Sequence, residues 1–181
     1  MRKFAALLLI VLAAPLSAKD DLGVFSDWGA FRDPSVPRCY AIAMPAPSRL
    51  DREFEPFATI GTWPRQNRRG QVHFRLSRQI VPGSAITLAI GGKRFRLTGG
   101  GGDAWARDRA MDAAIVAAMR SAERMTIRAT DKRGRRFANS YSLAGAATAM
   151  DAATLACARR RTVDTGNEKG PESTIAPRPQ S

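Results

Sequence analysis

The sequence predicts a mainly β fold: a β-sandwich with one or two peripheral α-helices in its C-terminal half. Three observations lead to this prediction. About seven short segments have the composition and alternation of strands, and glycines, prolines or other turn residues separate them. The segments with helical spacing come late in the chain. This order favours a sandwich over a parallel sheet, which needs helices between its strands.

The N-terminal residues 1–18 have the pattern of a cleavable secretion signal. Arg2 and Lys3 precede an uncharged run, 4–16, and small residues end at Ala18. The run has about 13 residues, whereas a membrane-spanning helix needs about 20. A retained membrane anchor is therefore the weaker alternative. We expect cleavage after Ala18, a periplasmic or secreted protein, and no transmembrane segment after cleavage.

Four strands are predicted in the first half of the domain. They span 22–33, 39–44, 57–63 and 71–80, and prolines end the first two. In the fourth segment Phe74 and Leu76 alternate with Arg75, which is the period of a half-buried strand.

Two hairpins and two helices follow. The first hairpin turns at Gly91-Gly92, between runs that alternate on both sides, and the second pairs 125–130 with 135–143. One helix is predicted over 108–121, and another from after Ser142 to about Arg159. The domain then covers 22–160, and the polar, proline-containing segment 161–181 is predicted to be a disordered tail.

The chain has two cysteines, Cys39 and Cys157. Two is the number that forms one bridge in an oxidising compartment. Cys157 is also predicted on the packed face of the last helix. We therefore expect a Cys39–Cys157 disulfide that joins this helix to an early strand.

The chain is strongly basic, with a formal net charge of +13 at pH 7. Such a charge favours anionic partners, and an exported protein meets lipid phosphates and acidic sugars before it meets nucleic acid. Arg75, Arg94 and Arg96 lie opposite predicted core residues and form the candidate anion-binding surface. The alternative is that these arginines are only a solvated strand face.

Six short motifs, in order, resemble the invasion-associated locus B family of exported alphaproteobacterial proteins. They are Phe25-Ser26-Asp27-Trp28-Gly29, Arg38-Cys39-Tyr40-Ala41, Ile90-Gly91-Gly92 to Leu97, Ala104-Trp105-Ala106, Ile115-Val116-Ala117-Ala118-Met119, and Tyr141-Ser142-Leu143-Ala144-Gly145 leading to Cys157. The resemblance implies an immunoglobulin-like β-sandwich with an export signal, and it supplies no catalytic residues. The family name refers to host-cell invasion by pathogenic members, a role that does not extend to every member.

No constellation of catalytic or metal-ligating residues is recognisable. His73 is the only histidine, so neither a histidine-based triad nor a zinc cluster can be assembled around it. Asp108 and Asp112 suit the first turn of a helix better than acid–base catalysis. The run Gly99–Gly102 lacks the residues of a phosphate-binding loop and is predicted to be a flexible connector. The three tryptophans are predicted to be core residues.

The leading hypothesis is a non-enzymatic interaction module of the cell envelope, without cofactor or metal. Its partner would be an envelope component or another protein, and an anionic one fits the charge. Two alternatives stay open at this stage: an uncharacterised envelope enzyme, and a basic anion- or nucleic-acid-binding protein, although export makes nucleic acid the less favoured partner.

Overall fold

The computed structural model describes residues 19–163, with side chains to residue 158. The predicted secretion signal and residues 164–181 lie outside the described residues. The described strands are β1 Asp20–Phe25, β2 Trp28–Asp33, β3 Arg38–Ala43, β4 Phe57–Trp63, β5 Arg68–Ile80, β6 Ile86–Ile90, β7 Lys93–Trp105, β8 Arg124–Thr130 and β9 Arg136–Ser142. The helices are α1 Arg109–Met119 and α2 Ala146–Val163. Neither helix is long and apolar enough to span a membrane, as judged over the described residues.

The mainly β class, with helices in the C-terminal half, is confirmed. All nine strands belong to one antiparallel sheet with the order β1-β2-β3-β4-β5-β7-β6-β8-β9. The expected sandwich is therefore built from one continuous sheet. Strands β1 to β5 form one layer with the end of β7, and the start of β7 forms the other layer with β6, β8 and β9.

Strand β7 joins the two layers by reversing direction at its glycine run. Its first part pairs with β6 from Lys93 to Leu97, and its last part pairs with β5 from Asp103 to Trp105. Thr98 Oγ1 lies 3.4 Å from the carbonyl oxygen of Trp105, seven residues further on, so the chain has folded back between them. A Cβ on Gly99 would collide with the backbone of Asp103. The predicted flexible connector is instead a tightly packed reversal.

The inward faces of the two layers meet in a single core. The Phe74 ring of β5 lies 6.1 Å from the Tyr141 ring of β9, measured between centroids. Trp28, in β2, is fully buried and donates its indole N–H to the carbonyl of Ser142 at 2.9 Å. Small side chains on β2 to β4 leave room for α2, whose alanines pack on this layer.

Side chains attach helix α1 to the sheet. Asp108 caps the helix by accepting the backbone N–H of Met111 at 2.8 Å, and this bond lowers the pKa of Asp108. Asp112, one turn later, accepts the backbone N–H of Val72 in β5 at 2.8 Å. Burial raises the pKa of Asp112, against the opposing effect of that hydrogen bond. Both aspartates therefore have structural partners.

An ion pair fastens the turn between β8 and β9 to the end of β5. The Asp131 carboxylate is buried, and the Arg78 guanidinium, also buried, donates to it at 3.2 Å. Arg135 donates to the same carboxylate from the other side at 2.9 Å. The backbone of Ile80 also bridges to Asp131.

Boundaries differ from the prediction at both ends of the domain. The single entry strand predicted over 22–33 is a hairpin, β1 and β2, which turns at Ser26 with a positive φ of 52°. A non-glycine residue in this conformation is uncommon, which is why the turn carries no strong sequence signal. Helix α2 runs to Val163, past the predicted start of the tail.

Candidate functional site

The structure contains the Cys39–Cys157 disulfide. The two Cα atoms lie 5.8 Å apart, and the bridge joins β3 to α2 across 118 positions of sequence. Both cysteines are buried, Cys39 fully. The bridge therefore fixes the C-terminal helix to the first layer.

Five arginines lie on the outward side of the second layer. Strand alternation turns Ile86, Leu88 and Leu97 inward and leaves Thr87 outward. Thr87 is the Cα partner of Arg96 on one side and of Arg128 on the other. The other three outward arginines lie on β7, β8 and β9. We call the set of Arg94, Arg96, Arg124, Arg128 and Arg136 the arginine face.

The strand segments of the arginine face contain no acidic residue. The strand segments 86–90, 93–98, 124–130 and 136–142 contain no Asp or Glu. Within the part of the chain that the structure describes, none of the five arginines forms an ion pair. A shallow cleft of about 500 Å³ is lined by Arg128 and Arg136 together with the exposed Leu50. The surface thus offers guanidinium groups beside a small apolar patch.

Arg75 lies apart from Arg94 and Arg96. It belongs to β5, in the first layer, and its Nη1 donates to Asp103 Oδ2 at 2.6 Å. The guanidinium also stacks on the ring of Phe54, 4.0 Å from the centroid. Of the three arginines predicted as one anion-binding surface, the structure places two together and gives the third an acidic partner.

Asp103 also contacts the only histidine. His73 Nε2 lies 2.9 Å from Asp103 Oδ1, and the imidazole stacks on Trp105 with centroids 5.2 Å apart. Phe57 meets the imidazole edge-on. His73 is therefore half-buried and held by three neighbours. Asp103 was not predicted as a site residue. Asp103 and Trp105 are two positions apart in one strand, and residues with this spacing lie on the same side of the sheet.

The outward side of the first layer is largely aromatic. Phe31 and Tyr40 are neighbours across β2 and β3, with ring centroids 5.8 Å apart. Trp63 and Trp105 are both partly exposed, Trp105 by 38%. We call the set of Phe31, Tyr40, Phe57, Trp63, His73 and Trp105 the aromatic face. The prediction that all three tryptophans are core residues holds for Trp28 and is wrong for Trp63 and Trp105.

The remaining candidates do not assemble into a reactive centre in the described part of the chain. No group of three or more His, Cys, Asp or Glu residues among the described ones could hold a metal ion. Asp108 and Asp112 are occupied by the hydrogen bonds that cap α1 and attach it to β5.

One family model matches the chain, and its description is invasion associated locus B (IalB) protein. The match covers residues 58–154, from β4 into α2, which is more than half of the chain. It contains the third, fourth and fifth motifs of the resemblance and the Tyr141-to-Gly145 part of the sixth, while Cys157 lies beyond it and the two earlier motifs precede it. No curated protein and no solved structure matches the sequence. The match over most of the sheet shows that this chain belongs to the invasion associated locus B family.

Proposed function

We propose that the protein is an exported, non-enzymatic module of the cell envelope that binds a phosphate- or carboxylate-bearing envelope component through the arginine face. The observation that carries the proposal is the convergence of five arginines on strand segments that contain no acidic residue. Arginine suits this role because its planar guanidinium donates two parallel hydrogen bonds to phosphate or carboxylate.

Strand geometry brings these side chains within reach of one ligand. Neighbouring strands lie about 4.8 Å apart, so Arg96 and Arg128, separated by one strand, are about 10 Å apart at their Cα atoms. A phosphorylated headgroup between them would contact both. The cleft beside Arg128 and Arg136 adds the exposed side chain of Leu50, which offers apolar contact to the same ligand.

Binding to membranes and polymers tests this proposal. The protein is mixed with vesicles of phosphatidylcholine alone or with phosphatidylglycerol, and separately with polygalacturonate, a soluble acidic polysaccharide. Each cation near an anionic surface contributes about 1 kcal/mol, so R94Q/R96Q/R128Q should weaken binding at least tenfold. Binding should also weaken with salt, because charges are screened over about 8 Å at physiological ionic strength. The two arms distinguish a lipid from a polysaccharide source.

The matched control removes the same charge elsewhere. Arg65, in the turn before β5, and Arg68 and Arg69, at the start of β5, are exposed in the other layer, so R65Q/R68Q/R69Q lowers the net charge equally. The proposal expects this control to bind almost as tightly as the unaltered protein. Equal weakening by the two triple variants would show attraction by net charge alone and would overturn the assignment to the arginine face. So would a failure to bind either anionic probe at low salt.

Export is tested separately. The N-terminal sequence of the protein recovered from a periplasmic or culture fraction should begin at or within a residue or two of Lys19. Recovery only from the cytosol, with Met1 to Ala18 intact, would contradict the proposal.

A further inference from the structure

The register of the first layer sets the aromatic face in continuous rows. Ile42 is the Cα partner of Thr59, Thr59 of His73, and His73 of Trp105, so these four outward residues form one row across four strands. Phe31 and Tyr40 begin the adjacent row, and Gly61 continues it. With strands about 4.8 Å apart, the aromatic face extends over five strands, roughly 19 Å.

Glycines lie beneath two of the rings of this surface. A Cβ built on Gly61 would collide with the Trp63 indole, and a Cβ on Gly29 would lie 2.8 Å from the Phe31 ring. The two rings therefore lie against bare backbone in place of a side chain. Aromatic side chains are known to cover glycines in sheets in this way. The Trp63 and Phe31 rings thus lie along an aromatic platform, whereas the His73 and Trp105 rings stack on each other.

Two arginines beside the rings of the platform are paired with carboxylates. Arg75 is bound to Asp103 at 2.6 Å, and Arg38 lies 3.6 Å from Asp33 while its guanidinium stacks over Tyr40. Arg68, the Cα partner of Trp63, is exposed and forms no ion pair among the described residues. The polar groups between Phe57 and Trp105 are therefore paired with one another, while the Trp63 end of the platform carries an arginine open to solvent.

We propose that the aromatic face binds an uncharged polysaccharide. Sugar rings present C–H groups that stack on the negative faces of aromatic rings, and their hydroxyls bond to planar groups such as the Arg75–Asp103 pair. A single nucleic-acid strand would also stack, but it requires a row of cations for its successive phosphates, and Arg38 and Arg75 are already bound to carboxylates. At the Phe31 end the surface continues into a cleft of about 670 Å³ lined by Ile42, Met44 and Pro45, among others. This volume falls in the range of ligand sites.

The experiment uses soluble uncharged glucans. The protein is run in native gels containing laminarin, hydroxyethyl cellulose or dextran, and the affinity is measured by the retardation. Stacking on one aromatic ring is typically worth a factor of several, so W105A should weaken binding at least fivefold and W63A/W105A more. W105F keeps a ring at the position and should retain most of the affinity. The matched control is L155A, which removes a large exposed side chain from α2, away from the platform.

Acrylamide quenching gives a readout that needs no variant. Trp28 is fully buried, whereas Trp63 and Trp105 are partly exposed, so quenching of the unaltered protein reports on the platform. Bound glucan should reduce the quenching constant at least twofold. The quenching result decides the question if a variant melts early.

Several results would overturn the proposal. One is the absence of retardation and of protection with all three glucans. Another is unchanged affinity in W63A/W105A. Retardation by a single-stranded oligonucleotide but by no glucan would assign the platform to nucleic acid instead. Dimerisation that W105A abolishes, without glucan binding, would assign it to a second copy of the chain. R94Q/R96Q/R128Q should leave glucan affinity unchanged, so this proposal and that for the arginine face can fail independently.

Discussion

The backbone of Gly145 packs directly against the carbonyl oxygen of Phe25. Gly145 precedes α2 with a φ of +81°, and a Cβ at this position would overlap the Phe25 carbonyl. The adjacent Asp27 N–H donates to the carbonyl of Ala144 at 3.3 Å, so the β1–β2 turn and the start of α2 are joined through their backbones. This contact explains physically why the Tyr141-to-Gly145 motif ends in glycine.

We predict that G145A destabilises the fold by more than about 2 kcal/mol, because alanine adds both backbone strain and overlap at this position. Chemical denaturation followed by circular dichroism measures the loss. Gly134 provides the control, since its φ is +79° but a Cβ there would meet nothing within 4 Å. G134A should therefore cost only the strain, about 1 to 2 kcal/mol. Equal losses in the two variants would contradict the role of the Phe25 contact.

Reduction of the Cys39–Cys157 bridge should lower stability strongly. The bridge spans 118 positions, for which the chain-entropy relation gives about 4 to 5 kcal/mol. Thermal melting with and without dithiothreitol measures the change, and C39A/C157A should melt near the reduced protein. An unaltered melting temperature after verified reduction would contradict this prediction.

The ion pair at Asp131 should make stability depend on acid pH. Burial acts to raise the pKa of Asp131, but hydrogen bonds from the backbone N–H groups of Arg135 and Arg133, and from the Arg135 side chain, lower it overall. A carboxyl with a lowered folded pKa contributes stability above its unfolded pKa, about 3.9, and loses that contribution as pH falls through the folded value.

Denaturation measured between pH 5 and pH 2 (roughly the range in which a carboxyl protonates) tests this expectation. D131N should be less stable than the unaltered protein at neutral pH, because it leaves Arg78 buried beside a neutral amide. It should also show a flatter decline on acidification. D20N is the control, since Asp20 pairs with Arg32 in an exposed position. The same pH profile in D131N and the unaltered protein would refute the assignment.

Two neighbouring positions on β9 should respond oppositely to loss of a polar group. The Tyr141 hydroxyl is buried and has no hydrogen-bonding partner among the described residues, so Y141F should leave stability unchanged or raise it. Asn139, also buried, accepts the backbone N–H of Ser77 at 3.2 Å. N139A should cost about 1 to 3 kcal/mol, because that N–H would lose its acceptor inside the core. Urea denaturation of both variants measures the contrast, and a loss in Y141F comparable to that in N139A would contradict it.

The local elements followed from the sequence wherever a strong turn signal or a clear period was present. Gly91-Gly92 marked the β6–β7 hairpin, and the spacing of Met111, Ile115 and Met119 marked α1. The β1–β2 hairpin was missed because Ser26 makes its turn without a glycine. The reversal inside β7 was missed because a glycine run reads equally as a flexible connector, and only the packing of Gly99 against Asp103 shows the difference.

The sequence by itself determined the family, the β-rich class, the two helices and the alternation that turns Arg94 and Arg96 away from the core. These properties depend on composition, on motifs and on periods of a few residues. The tertiary structure alone decided which distant segments became neighbours. Pairing of β6 with both β7 and β8 placed Arg96 and Arg128 on either side of Thr87. Pairing of β5 with β7 gave Arg75 its partner Asp103. Packing of the core determines which strands pair when a helix or a chain reversal separates them in sequence. A local sequence pattern therefore does not show which arginines form ion pairs with carboxylates.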